Sequence, residues 1–235
     1  SSSTFSIASD KYTLDGATYN ITINKAPITV TVAATYSGST SLVPTTAPVS
    51  GLVNGETLVP TAVTAQFADV ASNPVNHVTA ITAIDGASTA NFNNYSVTVA
   101  NSPVTINRKL VTLVGTLTAV KTYDGNNAAS VLTAGVTPSV VYGSDDLSVS
   151  SIIGTYDSVN VSTNRVVTVT DVTLTGTSAN NYQWDRSAVQ TGTATINQLP
   201  SATWVGAAGA NWSDPANWAV TDRLNQTGVL PNLSN

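Results

Sequence analysis

The chain has 235 residues, of which 42% are hydrophobic and only 9% are charged, with a formal net charge of -5. Eight Lys and Arg residues in all provide no basic surface for nucleic acid, and no apolar run approaches the roughly 20 residues that span a bilayer. The absence of Cys and Met and the single His exclude thiol catalysis and thiolate or His-rich metal sites. We therefore expect no enzymatic activity, no cofactor, no nucleic-acid partner and no membrane insertion.

Alternation of apolar and hydroxyl-bearing residues recurs along the chain and predicts β-strands with one buried face. Turn-forming pairs such as Asn54-Gly55 and Asp124-Gly125 separate these runs. No window of ten or more residues has the apolar period of a helix. The sequence therefore predicts an all-β protein, with its clearest strands at 28–32, 95–99, 166–170 and 172–175.

An internal repeat is marked by Thr-Ile-Asn, which ends at Asn24, Asn107 and Asn197, 83 and 90 residues apart. Units of this size are large enough for a small β-sandwich with its own core. We predict two tandem Ig-like β-sandwich repeats, with a β-grasp-like arrangement as the alternative, and a restricted angle between them because the joints are very short. The predicted segments are the C-terminal remnant of a preceding repeat at 1–24, a first repeat at 25–107, a second repeat at 108–197 and a Trp-rich tail at 198–235.

Tyrosine motifs recur in register in the two repeats. The segment Thr-Tyr-Ser-Gly at 35–38 matches Thr-Tyr-Asp-Gly at 122–125, and an Asn-Tyr pair at 94–95 matches one at 181–182. In such a turn the Asp accepts backbone N–H groups, the Gly supplies a positive φ and the Tyr packs its ring. We therefore predict structural roles for Tyr36, Gly38, Tyr95, Tyr123, Asp124, Gly125 and Tyr182.

These motifs carry a resemblance to a known family. With Lys-Thr-Tyr-Asp-Gly at 121–125, Gly-Thr-Tyr-Asp at 154–157 and Asn-Asn-Tyr at 180–182, the second repeat resembles the YDG repeats of bacterial surface proteins. The first repeat is similar to the related mostly-β, glycine-rich (MBG) repeat, although Ser37 stands where the YDG pattern has Asp.

The resemblance implies a stalk-like segment of a large secreted or surface-anchored adhesin. Such proteins are of the filamentous-haemagglutinin-like kind, are exported by two-partner secretion and support adhesion or biofilm formation. The localisation expected from it is extracellular or at the bacterial cell surface. The expected partners are neighbouring repeats of the same polypeptide, extracellular polysaccharide or copies of the chain itself.

The tail concentrates aromatic rings, with Trp204, Trp212 and Trp218 inside 15 residues and Asn211 and Asp214 beside them. Flat rings with polar neighbours stack on sugars, so a polysaccharide-binding module is an alternative function. The interpretation that we favour is that the rings pack as a cap on the second repeat.

Three further features complete the candidates. Asp145 and Asp146 are the calcium candidates, although their spacing is not that of an EF-hand and a solvated turn is the simpler interpretation. His77 has no nucleophile pattern near it, so we assign no catalytic residue. Segment 1–24 offers a strand that could complete the sheet of a neighbouring molecule, which would make the chain a subunit of a filament or sheath.

Overall fold

The computed structural model describes residues 23–199 and 201–220, so nearly all of the predicted remnant at 1–24 and the end of the tail lie outside the described residues. The prediction of an all-β chain is confirmed, because strands joined by turns and short 3-10 helices make up the described part. Its helical segments have three to six residues each. No helix within this part is long and apolar enough to cross a bilayer.

The first repeat is built from three small sheets of three strands each. Their orders are Val49–Ser50, Ala26–Val30, Tyr95–Val97; Pro44–Thr46, Val32–Thr35, Val104–Asn107; and Ser41–Leu42, Pro60–Ala65, Val78–Ile84. The strand predicted at 28–32 is split, since the chain leaves one sheet after Val30 and enters the next at Val32. Its strands are β1 (Ala26–Val30), β2 (Val32–Thr35), β3 (Ser41–Leu42), β4 (Pro44–Thr46), β5 (Val49–Ser50), β6 (Pro60–Ala65), β7 (Val78–Ile84), β8 (Tyr95–Val97) and β9 (Val104–Asn107), with 3-10 helices at Val70–Val75, Phe92–Asn94 and Val99–Asn101.

The second repeat also has nine strands, but it has one 3-10 helix where the first repeat has three. Five of its strands close into a barrel, in the order Thr118–Thr122, Ala128–Val131, Ser148–Tyr156, Ser162–Thr175 and Thr191–Asn197. In β16 the side chains at 166–170 alternate as predicted, within a strand of 14 residues. The strands are β10 (Lys109–Val111), β11 (Leu113–Val114), β12 (Thr118–Thr122), β13 (Ala128–Val131), β14 (Thr137–Pro138), β15 (Ser148–Tyr156), β16 (Ser162–Thr175), β17 (Tyr182–Trp184) and β18 (Thr191–Asn197), with a 3-10 helix at Ala179–Asn181.

Parallel pairing between the beginning and the end of each repeat is the feature that the two repeats share. In the first repeat β1 pairs with β8 and β2 with β9. In the second repeat β10 pairs with β17 and β12 with β18. The Ig-like sandwich is not confirmed, because these parallel ladders and the closed barrel are not the two antiparallel sheets of that fold.

Two clusters of buried residues form the core, one mainly in each repeat, but the first cluster also contains residues of the second repeat. Val111 and Tyr182 belong to the second repeat in sequence, and both are buried in the first cluster. Tyr36 is buried in the same cluster, with only 5% of its surface exposed. The start of the second repeat therefore packs into the base of the first.

The described part of the tail forms a separate small unit. Strand β19 (Ala202–Trp204) pairs antiparallel with β20 (Trp218–Val220), and a 3-10 helix at Pro215–Asn217 precedes β20. Trp218 is buried but belongs to neither of the two core clusters.

Candidate functional site

Where the two repeats meet, the motif at 35–38 of the first repeat contacts the second repeat. Strand β2 ends at Thr35, and the backbone N–H of Tyr36 then donates to the carbonyl of Asn107, which fixes the turn beside the connection between repeats. Gly38 has a φ of +70°, and a Cβ built on it would lie 2.8 Å from the Cβ of Tyr142. The glycine is therefore needed both for its backbone conformation and for the close approach of the second repeat.

Asp145 is the polar centre of this contact. It lies in the turn 142–145 between β14 and β15, where its N–H donates to the carbonyl of Tyr142 over 3.0 Å. Its Oδ2 accepts hydrogen bonds from the hydroxyl of Tyr36 at 2.7 Å and from that of Tyr182 at 2.6 Å. Its Oδ1 accepts from Ser178 at 3.2 Å. A single carboxylate thus binds hydroxyl groups of both repeats.

Three aromatic rings surround this carboxylate. The ring of Tyr36 meets Tyr182 edge-on at 5.3 Å and Tyr142 edge-on at 6.0 Å. The Nζ of Lys109 lies 5.9 Å from the centroid of the Tyr142 ring, within the range of a cation–π interaction. We call Tyr36, Tyr142, Asp145 and Tyr182 the tyrosine joint.

The electrostatics of the joint follow from its burial and from these hydrogen bonds. Desolvation, followed by the hydrogen bond to Asp145, raises the pKa of Tyr36 to about 12. The same two causes raise the pKa of Tyr182 far above its usual value. Burial alone would raise the pKa of Asp145, but the hydroxyl groups of Tyr182, Tyr36 and Ser178 together lower it. At neutral pH the Asp145 carboxylate therefore accepts hydrogen bonds from the neutral hydroxyls of Tyr36 and Tyr182.

One further hydrogen bond connects the two repeats. The N–H of Val70, at the start of a 3-10 helix of the first repeat, donates to the Oδ1 of Asn181 at 2.9 Å. Asn181 immediately precedes Tyr182, so the predicted Asn-Tyr motif contributes both of its side chains to the interface.

The first repeat contains the same arrangement at its own Asn-Tyr motif. The hydroxyl of Tyr95 donates to the carboxylate of Glu56, the only Glu of the chain, and accepts from the N–H of Val53 at 3.2 Å. In the second repeat the hydroxyl of Tyr182 donates to Asp145 and accepts from the N–H of Tyr142 at 2.9 Å. The hydrogen bond to Glu56 is the main cause of the raised pKa of Tyr95.

The Tyr-Asp-Gly turn of the second repeat is stabilised by an ion pair. The Nζ of Lys121 lies 2.8 Å from the Oδ1 of Asp124, and only 14% and 12% of these two side chains are exposed. The same oxygen of Asp124 accepts the N–H of Asn126, and Gly125 has a φ of +76°. Lys121 also lies 5.0 Å above the ring of Tyr156. These contacts hold Asp124 and Gly125 in a hydrogen-bonded turn.

Tryptophans of the tail pack against one another. Trp204 and Trp212 are stacked with centroids 5.1 Å apart, and Trp218 meets both edge-on. The indole N–H of Trp218 donates to the carbonyl of Trp212. Trp212 as a whole residue is still 62% exposed. Trp184 lies in the core of the second repeat instead.

Polar residues beside these rings are occupied by local turns. Asn211 accepts the N–H of Ser213 at 3.0 Å, and Asp214 accepts the N–H of Ala216 at 2.9 Å. Both side chains therefore have a structural role in holding the loop between the tryptophans.

The calcium candidates have partners within the protein. Asp145 belongs to the tyrosine joint, and Asp146 accepts the N–H of Thr177 at 2.9 Å. Among residues 23–199 and 201–220, no group of three or more His, Cys, Asp or Glu side chains is placed to hold a metal ion. His77 lies 2.8 Å from the carbonyl of Val75, to which its Nδ1 donates.

Comparison with known families identifies a YDG domain at residues 107–195. This match contains the Tyr-Asp-Gly turn and three of the four residues of the tyrosine joint, Tyr142, Asp145 and Tyr182. It covers 89 of the 235 residues and does not include the first repeat. Searches of curated proteins and of solved structures gave no significant match.

Sequence analysis missed Tyr142 and the role of Glu56 as a hydrogen-bond acceptor. A usable signal exists, because a carboxylate precedes the Asn-Tyr tyrosine by 39 residues in one repeat and by 37 in the other, in Glu56/Tyr95 and Asp145/Tyr182. The partnership of Tyr36 with Asp145 has no such local signal, since 109 residues separate them.

Proposed function

We propose that the chain is a non-enzymatic structural segment of a large extracellular bacterial surface protein of the adhesin kind, in which its repeats act as a stalk of defined geometry. The observation that carries this proposal is the shared carboxylate of Asp145, which accepts hydroxyl groups from Tyr36 and Tyr182. A stalk must hold successive repeats at a set angle, and this contact is suited to do so.

Packing across the joint supports a fixed orientation. Val111 and Tyr182 are 1% and 2% exposed within the cluster of the first repeat, so a change of angle would uncover apolar surface. The rings of the joint also interlock edge to face, a geometry that has a directional preference. Restriction by packing is thus added to the short connection between Asn107 and Lys109.

The stalk geometry can be tested by measuring distances between spin labels. The chain has no Cys, so Thr61→Cys in β6 and Ser130→Cys in β13, both exposed, would be the only labelling sites. We expect one narrow distance distribution by double electron–electron resonance. Addition of Asp145→Ala should broaden it, whereas a broad distribution in the chain without this change would contradict the proposed rigid stalk.

A second function, binding of an extracellular polysaccharide, is favoured by the exposure of Trp212, at 62%. Its ring is stacked on Trp204, so a sugar would stack on the opposite face. Affinity electrophoresis in polysaccharide gels should show retardation that Trp212→Ala abolishes. The matched control is Val205→Ala, because Val205 is 57% exposed in the same unit. Unchanged migration of the parent chain in every gel would count against this function.

Assembly into a filament through strand addition depends on segment 1–24, which lies almost entirely outside the described residues and stays a prediction. It predicts particles that grow with concentration, and small-angle scattering with in-line sizing measures this directly.

A further inference from the structure

The first repeat presents the acceptor half of a second tyrosine joint. Glu56 stands in the position of Asp145, Tyr95 in that of Tyr182, and Val53 in that of Tyr142, with the same hydrogen bonds among them. The turns also agree, since the N–H of Glu56 donates to Val53 as that of Asp145 does to Tyr142. We call Val53, Glu56 and Tyr95 the upper socket.

The upper socket differs from the tyrosine joint in what covers it. Val53 is 47% exposed, although it is apolar and replaces a ring that packs against Tyr36. Asn94 is exposed, whereas its counterpart Asn181 accepts the N–H of Val70. Within the described residues, the first repeat therefore offers an acceptor surface whose equivalent is covered in the second.

The second repeat presents the complementary half. Tyr123 occupies the position of Tyr36, and its N–H donates to Asn197 as that of Tyr36 does to Asn107. A Cβ built on Gly38 meets Tyr142, but one built on Gly125 has no heavy atom of the described residues within 4 Å. The turn 123–125 thus repeats the backbone of the turn that docks at the joint.

We propose that the upper socket binds the Tyr-Asp-Gly turn of a second copy of this chain, head to tail. The hydroxyl of Tyr123 donates to Glu56, its ring meets the ring of Tyr95 edge-on, and Gly125 packs against Val53. The joint inside the chain supports this occupant, because the counterparts of these two surfaces, the turn at Tyr36 and the acceptor at Asp145, are joined there.

Charge does not prevent this contact. Docking would place Asp124 near Glu56, where the first repeat has the uncharged Ser37 at the corresponding position. Asp124 enters with a partner, since Lys121 lies 2.8 Å from it. The Lys121 ammonium thus offsets the negative charge of Asp124 as it approaches Glu56. The joint inside the chain needs no such cation, because Ser37 is uncharged.

Cross-linking between two single-Cys chains tests the contact. Gly125 has to stay a glycine, because its φ is +76° and a Cβ built on its counterpart Gly38 lies only 2.8 Å from the Cβ of Tyr142. Asn127, which is exposed two residues further on, carries the Cys instead. Mixing full-length Asn127→Cys with full-length Val53→Cys and a short bismaleimide should yield a cross-linked heterodimer. The chain has no other thiol, so the two homodimers are the only other cross-linked products, and an affinity tag on one chain distinguishes them.

Matched controls separate docking from random collision. Replacement of Val53→Cys by Val43→Cys, which is 77% exposed in the same repeat, should lower the yield by about tenfold or more. Addition of Tyr123→Phe to the Asn127→Cys chain should also lower it, because the ring remains and only the donor to Glu56 is lost. Circular dichroism would establish that each variant is folded.

The inference rests on the proposed stalk function, since it uses the same type of joint, but the two can fail separately. Equal yields from the Val53 and Val43 partners would overturn the inference, and a narrow spin-label distance measured on the same chain would leave the stalk standing. A broad spin-label distance would overturn the stalk itself. Preferential cross-linking that depends on Tyr123 would support head-to-tail docking.

Discussion

At the scale of single residues, Asp145 shows how a surface carboxylate becomes a structural group. An aspartate in a turn usually accepts backbone N–H groups nearby, as Asp124 does from Asn126. Asp145 instead accepts phenol hydroxyls from two repeats at 2.6 and 2.7 Å, distances typical of bonds between a hydroxyl and an ionised carboxylate.

Removal of this carboxylate should destabilise the protein. Asp145→Ala leaves the hydroxyls of Tyr36 and Tyr182 without their common acceptor, so we expect a loss of about 2 kcal/mol in the free energy of unfolding. Chemical denaturation measures it. The control is Asp146→Ala, which removes the same charge one residue away but breaks contacts only within the second repeat. Equal losses from the two variants would contradict a special role for Asp145.

Alkaline titration of the tyrosine hydroxyls tests the same site. The folded pKa of Tyr36 is raised from 10.0 to about 12, so its contribution to stability is complete below pH 10 and is lost as the pH rises through about 12. Absorbance of tyrosinate at alkaline pH should show Tyr36 and Tyr182 ionising last. In Asp145→Ala both should ionise earlier. Titration of all tyrosines together in the parent chain would argue against the buried joint.

Sequence reasoning reached some of these residues and not others. The recurrence of Tyr36 and Tyr123, and of Tyr95 and Tyr182, follows from local motifs, and the structure places all four in equivalent positions of the two repeats. The sequence made Asp145 a calcium candidate because an acidic pair in a turn looks the same whether its partner is a cation or a phenol. Only the fold brings Tyr36 to it.

At the scale of elements, period-2 alternation predicted strands well where pairing is regular and less well where a strand ends. Tyr95 and Val97 lie in β8, but the predicted run to Val99 is cut short by a 3-10 helix. Ser102 explains this, since its hydroxyl donates to the carbonyl of Thr98 and accepts the N–H of Val30. The parallel partners of each strand were beyond prediction, because alternation does not encode which distant strand is the neighbour.

Gln190 performs a similar task in the second repeat and provides a test. Its side-chain amide accepts the N–H of Leu113 at 2.9 Å and donates to the carbonyl of Leu113 at 2.8 Å, so it replaces a strand partner at β11. Gln190→Ala should lower the free energy of unfolding by about 2 kcal/mol. It should also speed amide hydrogen exchange at Leu113. Gln183→Ala, at an exposed position of β17, is the control and should change neither.

At the scale of the whole molecule, the two repeats are joined by more than a peptide. The predicted boundary between residues 107 and 108 and the YDG match that begins at residue 107 divide the sequence at the same point. The buried core crosses this point, because Val111 and Tyr182 pack in the cluster of the first repeat. Repeats that share core residues should unfold together as long as the joint is intact.

The cooperativity of unfolding of the two repeats should therefore depend on pH, because the charge of Asp145 does. Its folded pKa is lowered below the usual value of 3.8, so the stability that it contributes is present above about pH 3.8 and is lost as the pH falls through the folded pKa. Differential scanning calorimetry should show one transition for the described repeats at pH 7 and two once the pH lies below the folded pKa of Asp145, because protonation weakens the acceptor that the repeats share. Asp145→Asn should remove this difference, since its side chain carries no charge at either pH. Two separate transitions of the parent chain at pH 7 would mean that the joint does not couple the repeats.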